Sequence, residues 1–224
     1  MSNKIKETFD DIHESWKWLK KDPEKETSCW KWSKLSNNIE LIESLAKIIE
    51  KYWIKNIIDV WCWDVNWMRY FFNFLVKNKI NYYWLDASEH ILKTAKEKTK
   101  EILDKKEIPN NISFSNTLIT EFDYTPSNKE TTLVISKDVL VHLPNSIVKE
   151  TLESIKNKAL YALLTNFPDR KYNKLNQDIE LWDWRPIDLT KKPFNLNNPI
   201  EIIKNTDKST KEIFPTKNMS LFKF

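Results

Sequence analysis

Apolar positions follow two rhythms along this chain, and each rhythm predicts an element. Between Asn37 and Tyr52, the residues Ile39, Ile42, Leu45, Ala46 and Ile49 recur at the spacing of one helix face. Asn56-Ile57-Ile58-Asp59-Val60 is instead a short continuous apolar run, which fits a strand buried in a parallel sheet. The two signals then alternate. Asn66 to Lys77 reads as an aromatic-rich helix, Tyr82 to Asp86 as a second strand, and Ser88 to Asp104 as a helix capped by Ser88. Asn111 to Asn116 and Thr132 to Ser136 read as the third and fourth strands. A helix over Ser146 to Lys156 and a fifth strand over Leu160 to Thr165 follow. Past a Pro-punctuated loop, two late strands are expected near Ile200 to Lys204 and Met219 to Phe224. The pattern predicts an α/β fold, a mostly parallel seven-stranded sheet with helices on both faces. Residues 1–35 are polar, with Phe9 to Leu19 as the best helical stretch, and read as an N-terminal cap on a domain spanning 36–224.

Composition narrows the classes. A chain of 224 residues with 41% hydrophobic content is enough for one domain with a core. The formal net charge of +4 leaves an anionic substrate open without marking a nucleic-acid binder. Apolar runs such as Phe71-Phe72-Asn73-Phe74-Leu75-Val76 are too short to span a bilayer. The first residues hold no apolar run of the secretory kind, and two cysteines fit a reducing compartment, so a cytoplasmic protein is expected. None of the three histidines pairs with a cysteine at ligand spacing, and no metal site is expected.

Two counts change the picture. Gly is 0 and Trp is 11, where ordinary usage gives roughly 16 glycines in this length. A folded domain needs positions with positive φ or with bare backbone, and glycine is the default there. Several tryptophans stand at such places. Trp61 and Trp63 follow the first strand, where a tight turn opens a helix. Trp53 sits at the C-terminal end of an amphipathic helix, a glycine position. Trp84 precedes Leu85-Asp86, Trp182 neighbours Trp184, and Trp30 and Trp32 lie in a polar loop. The expectation is that the gene uses UGA for glycine and that these seven residues, with Trp16, are glycine in the cell. Trp18, Trp67 and Trp184 read as true tryptophans. The alternative is a Trp-rich protein with coincidental placement.

With glycine at 61 and 63, residues 57–64 read I-I-D-V-G-C-G-D. This resembles motif I of class I S-adenosylmethionine (SAM)-dependent methyltransferases: an acid, any residue, Gly, any residue, Gly. Val134 to Pro144 is similar to the fourth-strand region of these enzymes, with its His-Leu-Pro turn. Asp178 to Pro186 with Pro193-Phe194-Asn195, and Cys29 to Ser33 read as C-G-K-G-S, are similar to segments of an uncharacterised bacterial subgroup. The resemblance covers roughly residues 27–224. It implies a Rossmann-like fold, SAM as cofactor, and in-line methyl transfer to a polar acceptor, helped mainly by positioning.

The resemblance assigns cofactor binding to Asp59, Trp61, Cys62, Trp63, Asp64, Asp86, Ala87, Asn116, Thr117 and Lys137. Asp86, at the end of the second strand, is placed for both ribose hydroxyls. Several have a plainer reading. Asp59 also reads as a strand-end cap, Asp64 as a helix N-cap, Cys62 as small filler, and Asn116-Thr117 as a turn. Asp138 and His142 are the candidates for a base, and loop hydrogen bonding or a structural role is the alternative. Asp183, Trp184 and Arg185 are candidates for the acceptor side, against a packed loop. The rivals in function are a NAD-binding oxidoreductase and a non-catalytic SAM-fold scaffold.

Overall fold

A computed structural model describes residues 5–8, 10–11, 33–61, 63–103, 107–125, 128–168, 173–204 and 216–224. Five parallel strands form its centre: β1 (Asn56–Val60), β2 (Asn81–Asp86), β3 (Ile112–Asn116), β4 (Thr132–Ser136) and β5 (Tyr161–Asn166). The last two, β6 (Glu201–Lys204) and β7 (Asn218–Lys223), pair antiparallel at one edge. The strand order is β3-β2-β1-β4-β5-β7-β6. The order reverses between β1 and β4, and in open sheets such a reversal opens a crevice at the carboxyl ends.

Among the described residues, four helices cover the sheet, α1 (Ile39–Lys51), α2 (Phe72–Lys77), α3 (Glu89–Leu103) and α4 (Asn145–Lys158), and residues 5–8 and 10–11 are helical ahead of them. One core packs α1, α2 and α3 against Ile57, Tyr82, Leu133 and Leu163. The other packs α4 against Ile58, Val60, Val134 and Leu164. Successive strand residues serve opposite cores, which is why β1, β4 and β5 are buried throughout rather than alternately. Ile5, ahead of α1, is buried in the second of these cores.

The observed elements follow the expected ones closely, with one clear departure. Helix was expected from Asn66 to Lys77, yet α2 starts only at Phe72, behind a 3-10 turn at Met68–Phe71. The cause is Asn66. Its amide donates to Asp64 Oδ1 at 3.3 Å and its side chain to the Ser33 carbonyl at 2.8 Å. These bonds hold residues 64–67 as a turn. The helix expected at Phe9 to Leu19 lies almost wholly outside the described residues, as do Trp16, Trp18, Trp30, Trp32 and Cys62.

Candidate functional site

The turn after β1 is the centre of the site. Trp61 and Trp63 have φ of 54° and 55°, the left-handed region in which a side chain costs energy and glycine does not. Trp53 at 56° and Trp182 at 78° share that conformation. Trp67 has a φ of −80°. Trp84 lies inside β2 and, like Trp184, has no positive φ. Among the described tryptophans, backbone geometry thus marks four expected to be glycine and neither expected to be genuine; Val65, Lys79, Asp138, Lys174, Asn176 and Asn195 share the conformation. It gives no such mark at Trp84, whose buried indole donates to the Trp63 carbonyl at 3.0 Å.

The indoles occupy the crevice. Trp61 is 2% exposed and Trp63 7%. The Trp63 ring centroid lies 6.0 Å from that of Trp182, which lies 5.4 Å from that of His142. Trp61 also lines a cavity of about 160 Å³ with Ile5, Leu118, Ile147 and Thr151. With these side chains in place, the residues present do not fit a cofactor at this turn.

Asp86 sits directly beneath. Its Oδ2 accepts from the Trp63 amide at 3.2 Å and its Oδ1 from the Ser88 amide at 3.0 Å. Burial raises its pKa to about 7 against the pull of those backbone donors. Ala87 is buried beside it. Asn116 fixes this strand end, its amide group donating to the carbonyls of Asp86 at 3.2 Å and Ala87 at 2.8 Å. Thr117 closes a tight turn, its amide donating to the Ser115 carbonyl at 3.1 Å. Asp59 is 1% exposed and accepts from the Tyr82 hydroxyl at 2.7 Å.

Three of the expected site residues are held by other parts of the chain. Asp64 is fully buried and paired with Lys98 of α3 at 2.6 Å, so it ties the turn to a helix rather than facing the crevice. Arg185 was expected on the acceptor side but is also fully buried. Its guanidinium donates to the carbonyls of Leu140 at 2.6 Å and Leu143 at 2.8 Å, and to Asn145 Oδ1 at 2.9 Å. It clamps the turn after β4, and burial lowers its pKa to about 10. Asp138 was a candidate base. Burial opposes its ionisation, yet Lys137 at 3.0 Å and Lys217 at 2.8 Å outweigh burial and hold its carboxyl well below the usual carboxylate range. A carboxylate held that way is a poor proton acceptor.

His142 is fixed by the segment that follows β5. Its Nδ1 lies 3.0 Å from the Asp183 carbonyl; a carbonyl only accepts, so Nδ1 carries the proton and Nε2 is the basic nitrogen. Burial lowers its pKa, keeping the ring neutral, while the Asp183 carbonyl works the other way. Asp183 is itself exposed. Trp184 is half-buried, its ring edge-on to Phe167 at 6.0 Å. Lys217 gave no sequence signal: it is one lysine among many in a polar stretch, brought in by the β5–β7 pairing.

Among the described residues, no helix is long and apolar enough to cross a membrane, and no group of three or more His, Cys, Asp or Glu is arranged to hold a metal. No family model matches the chain, and no curated protein does. Solved structures do. A Leishmania major SAM-dependent methyltransferase superposes with TM-score 0.58 at 13% identity, over 83% of this chain and 73% of that one. The methyltransferase domain of a bacterial Hen1 gives 0.54 at 15% identity, over 84% and 99%. A magnesium protoporphyrin IX methyltransferase from Synechocystis, solved with bound S-adenosylhomocysteine (SAH), gives 0.44 at 16% identity. It is covered over 58% of its length and matches 59% of this chain. What the first two show is the fold: a Rossmann-like sheet of the kind on which SAM-dependent methyltransferases are built.

Proposed function

We propose that this chain is a SAM-dependent methyltransferase in which positions 53, 61, 63 and 182 are glycine in the cell. The observation that carries the reading is the left-handed backbone at 61 and 63, directly above a buried carboxylate at the end of β2. As written, the indoles close the crevice. With glycine there, the turn's amides and Asp86 border a space beneath the segment around 182, at the carboxyl edge where such sheets bind ligands. The fold of two solved methyltransferases supports the same reading.

SAM, when bound, supplies a methyl group activated on a sulfonium. The residues of the chain hold and orient. Asp86 would accept from the ribose hydroxyls, and Asn116 fixes the strand end that carries it. His142 Nε2 takes a proton from an acceptor that must lose one, and the Asp183 carbonyl fixes the ring. Asp138 is an ionised anchor rather than a base. The acceptor is a polar small molecule approaching over His142.

If Trp61 is genuine, its buried indole favours a second reading, a non-catalytic member of this fold. Two experiments separate them. The coding DNA is expected to show UGA at 53, 61, 63 and 182 on backbone grounds, and at 30, 32 and 84 on sequence position, with UGG at 18, 67 and 184. UGG at 61 and 63 refutes the recoding. A Gly-restored protein is expected to transfer label from methyl-labelled SAM to a component of a small-molecule extract, and Asp86→Ala to weaken SAM binding by about 1–3 kcal/mol. Absence of transfer with intact SAM binding leaves the non-catalytic reading standing.

A further inference from the structure

Among the described residues of the turn after β1, three have left-handed backbone, and recoding accounts for only two of them, Trp61 and Trp63. The third is Val65, with a φ of 50°. A β-branched residue in that region is a conformational outlier, and glycine at 61 and 63 does not relieve it. Val65 is also fully buried, in the core shared by α1, α2 and α3. That burial rewards the side chain without fixing the sign of φ. Strain of this kind persists where the surroundings over-determine the backbone, and it gathers at ligand sites.

Here the surroundings grip Val65 from both sides. Before it, the fully buried Asp64 accepts through Oδ2 from Lys98 Nζ of α3 at 2.6 Å. After it, the Asn66 amide donates to Asp64 Oδ1 at 3.3 Å, and the Asn66 side chain donates to the Ser33 carbonyl at 2.8 Å. The Val65 carbonyl accepts from the Arg69 amide at 2.8 Å. Asp64 thus closes a ring across Val65, and Lys98 holds that carboxylate from a helix 34 residues along the chain. The other end of the turn is fixed to β2, by the Trp61 amide on the Leu85 carbonyl at 2.7 Å and the Trp63 amide on Asp86 Oδ2 at 3.2 Å. A buried ion pair is a poor device for stability alone, because apolar residues of similar volume often do as well or better. What this pair adds is geometry, at the turn whose amides border the proposed cofactor space.

We propose that Lys98 is a positioning residue for the cofactor turn: acting through Asp64, it holds Val65 left-handed and so sets the direction of the backbone at 61 and 63. Its effect on SAM binding rests on the methyltransferase reading; its control of the turn does not.

The test uses Gly-restored full-length protein, isotope-labelled for backbone NMR, with SAH affinity measured by calorimetry on the same samples. In the parent, the Cα and Cβ shifts of Val65 are expected to report left-handed backbone. In Lys98→Met they are expected to leave that range while the shifts of β5 and β7 stay put, and SAH is expected to bind at least tenfold more weakly. If Lys98→Met does not fold, the double variant Asp64→Asn with Lys98→Met, which removes both charges together, decides by the same two readouts. The proposal fails if Val65 is not left-handed in the parent, if it stays left-handed in the variant, or if the turn moves and SAH affinity does not change. A parent that binds no SAH is a separate result. It strikes the methyltransferase reading, and the Val65 shifts alone then decide whether Lys98 sets the turn.

Discussion

Trp53 separates backbone strain from ligand binding. It closes α1 at a φ of 56° with 74% of its surface exposed, so its indole contributes little packing. Trp53→Gly is therefore expected to stabilise the chain by about 1 kcal/mol, the relief of a left-handed side chain less the added freedom of the unfolded state. Chemical denaturation measures it, and a loss of stability refutes the strain argument there. Asp86 makes a pH prediction. In the chain carrying Trp63 its folded pKa is raised to about 7 from 3.8. Between those values the folded state holds a proton that the unfolded state has lost, so stability falls as pH rises through that window and levels above it. The drop is about 4 kcal/mol, and Asp86→Asn is expected to flatten it in urea titrations from pH 4 to 8. At this scale the site was half legible. The missing glycines and Asp86 stood out in composition and spacing. The partners Lys98 of Asp64 and Lys217 of Asp138 did not, since a lysine far along the chain carries no local mark of what it meets.

The segment 173–190 behaves as an element although it has no regular secondary structure. It is laced to the turn after β4 by the Trp182 amide on the His142 carbonyl at 2.9 Å, the Arg185 amide on the Val141 carbonyl at 3.1 Å, and the Arg185 side chain. Asn176 ties it to itself through the Asp188 amide and carbonyl, each at 2.8 Å. Arg185→Ala leaves buried carbonyls without donors, and a loss of about 3 kcal/mol is expected. Methyl transfer then falls because the segment loosens, whereas Arg185→Lys restores little, since one ammonium does not span the three acceptors. A variant as stable as the parent but inactive would return Arg185 to the acceptor side. The strands and long helices were readable because a buried strand leaves a continuous apolar run and a helix a periodic one. This segment was not: its order comes from backbone carbonyls, which the sequence does not write. The early helix at 66 was overread because Asn66 spends its bonds on Asp64 and Ser33.

The whole molecule joins two facts that sequence alone held apart: a doubly covered sheet with its strand order reversing between β1 and β4, and a crevice at that reversal filled by indoles. Alternating strands and helices made the sheet legible, and the antiparallel edge of β7 and β6 closes it beyond β5. The filled crevice was legible only as an anomaly in counts, and its meaning depends on whether the backbone there accepts a bare residue gladly. Calorimetric titration of SAM into two proteins answers this most directly: the chain as written, and the same chain with glycine at 53, 61, 63 and 182. One-to-one binding in the micromolar range is expected for the glycine form and none for the tryptophan form. Equal binding by both, or a folded glycine form that binds no SAM, would contradict it.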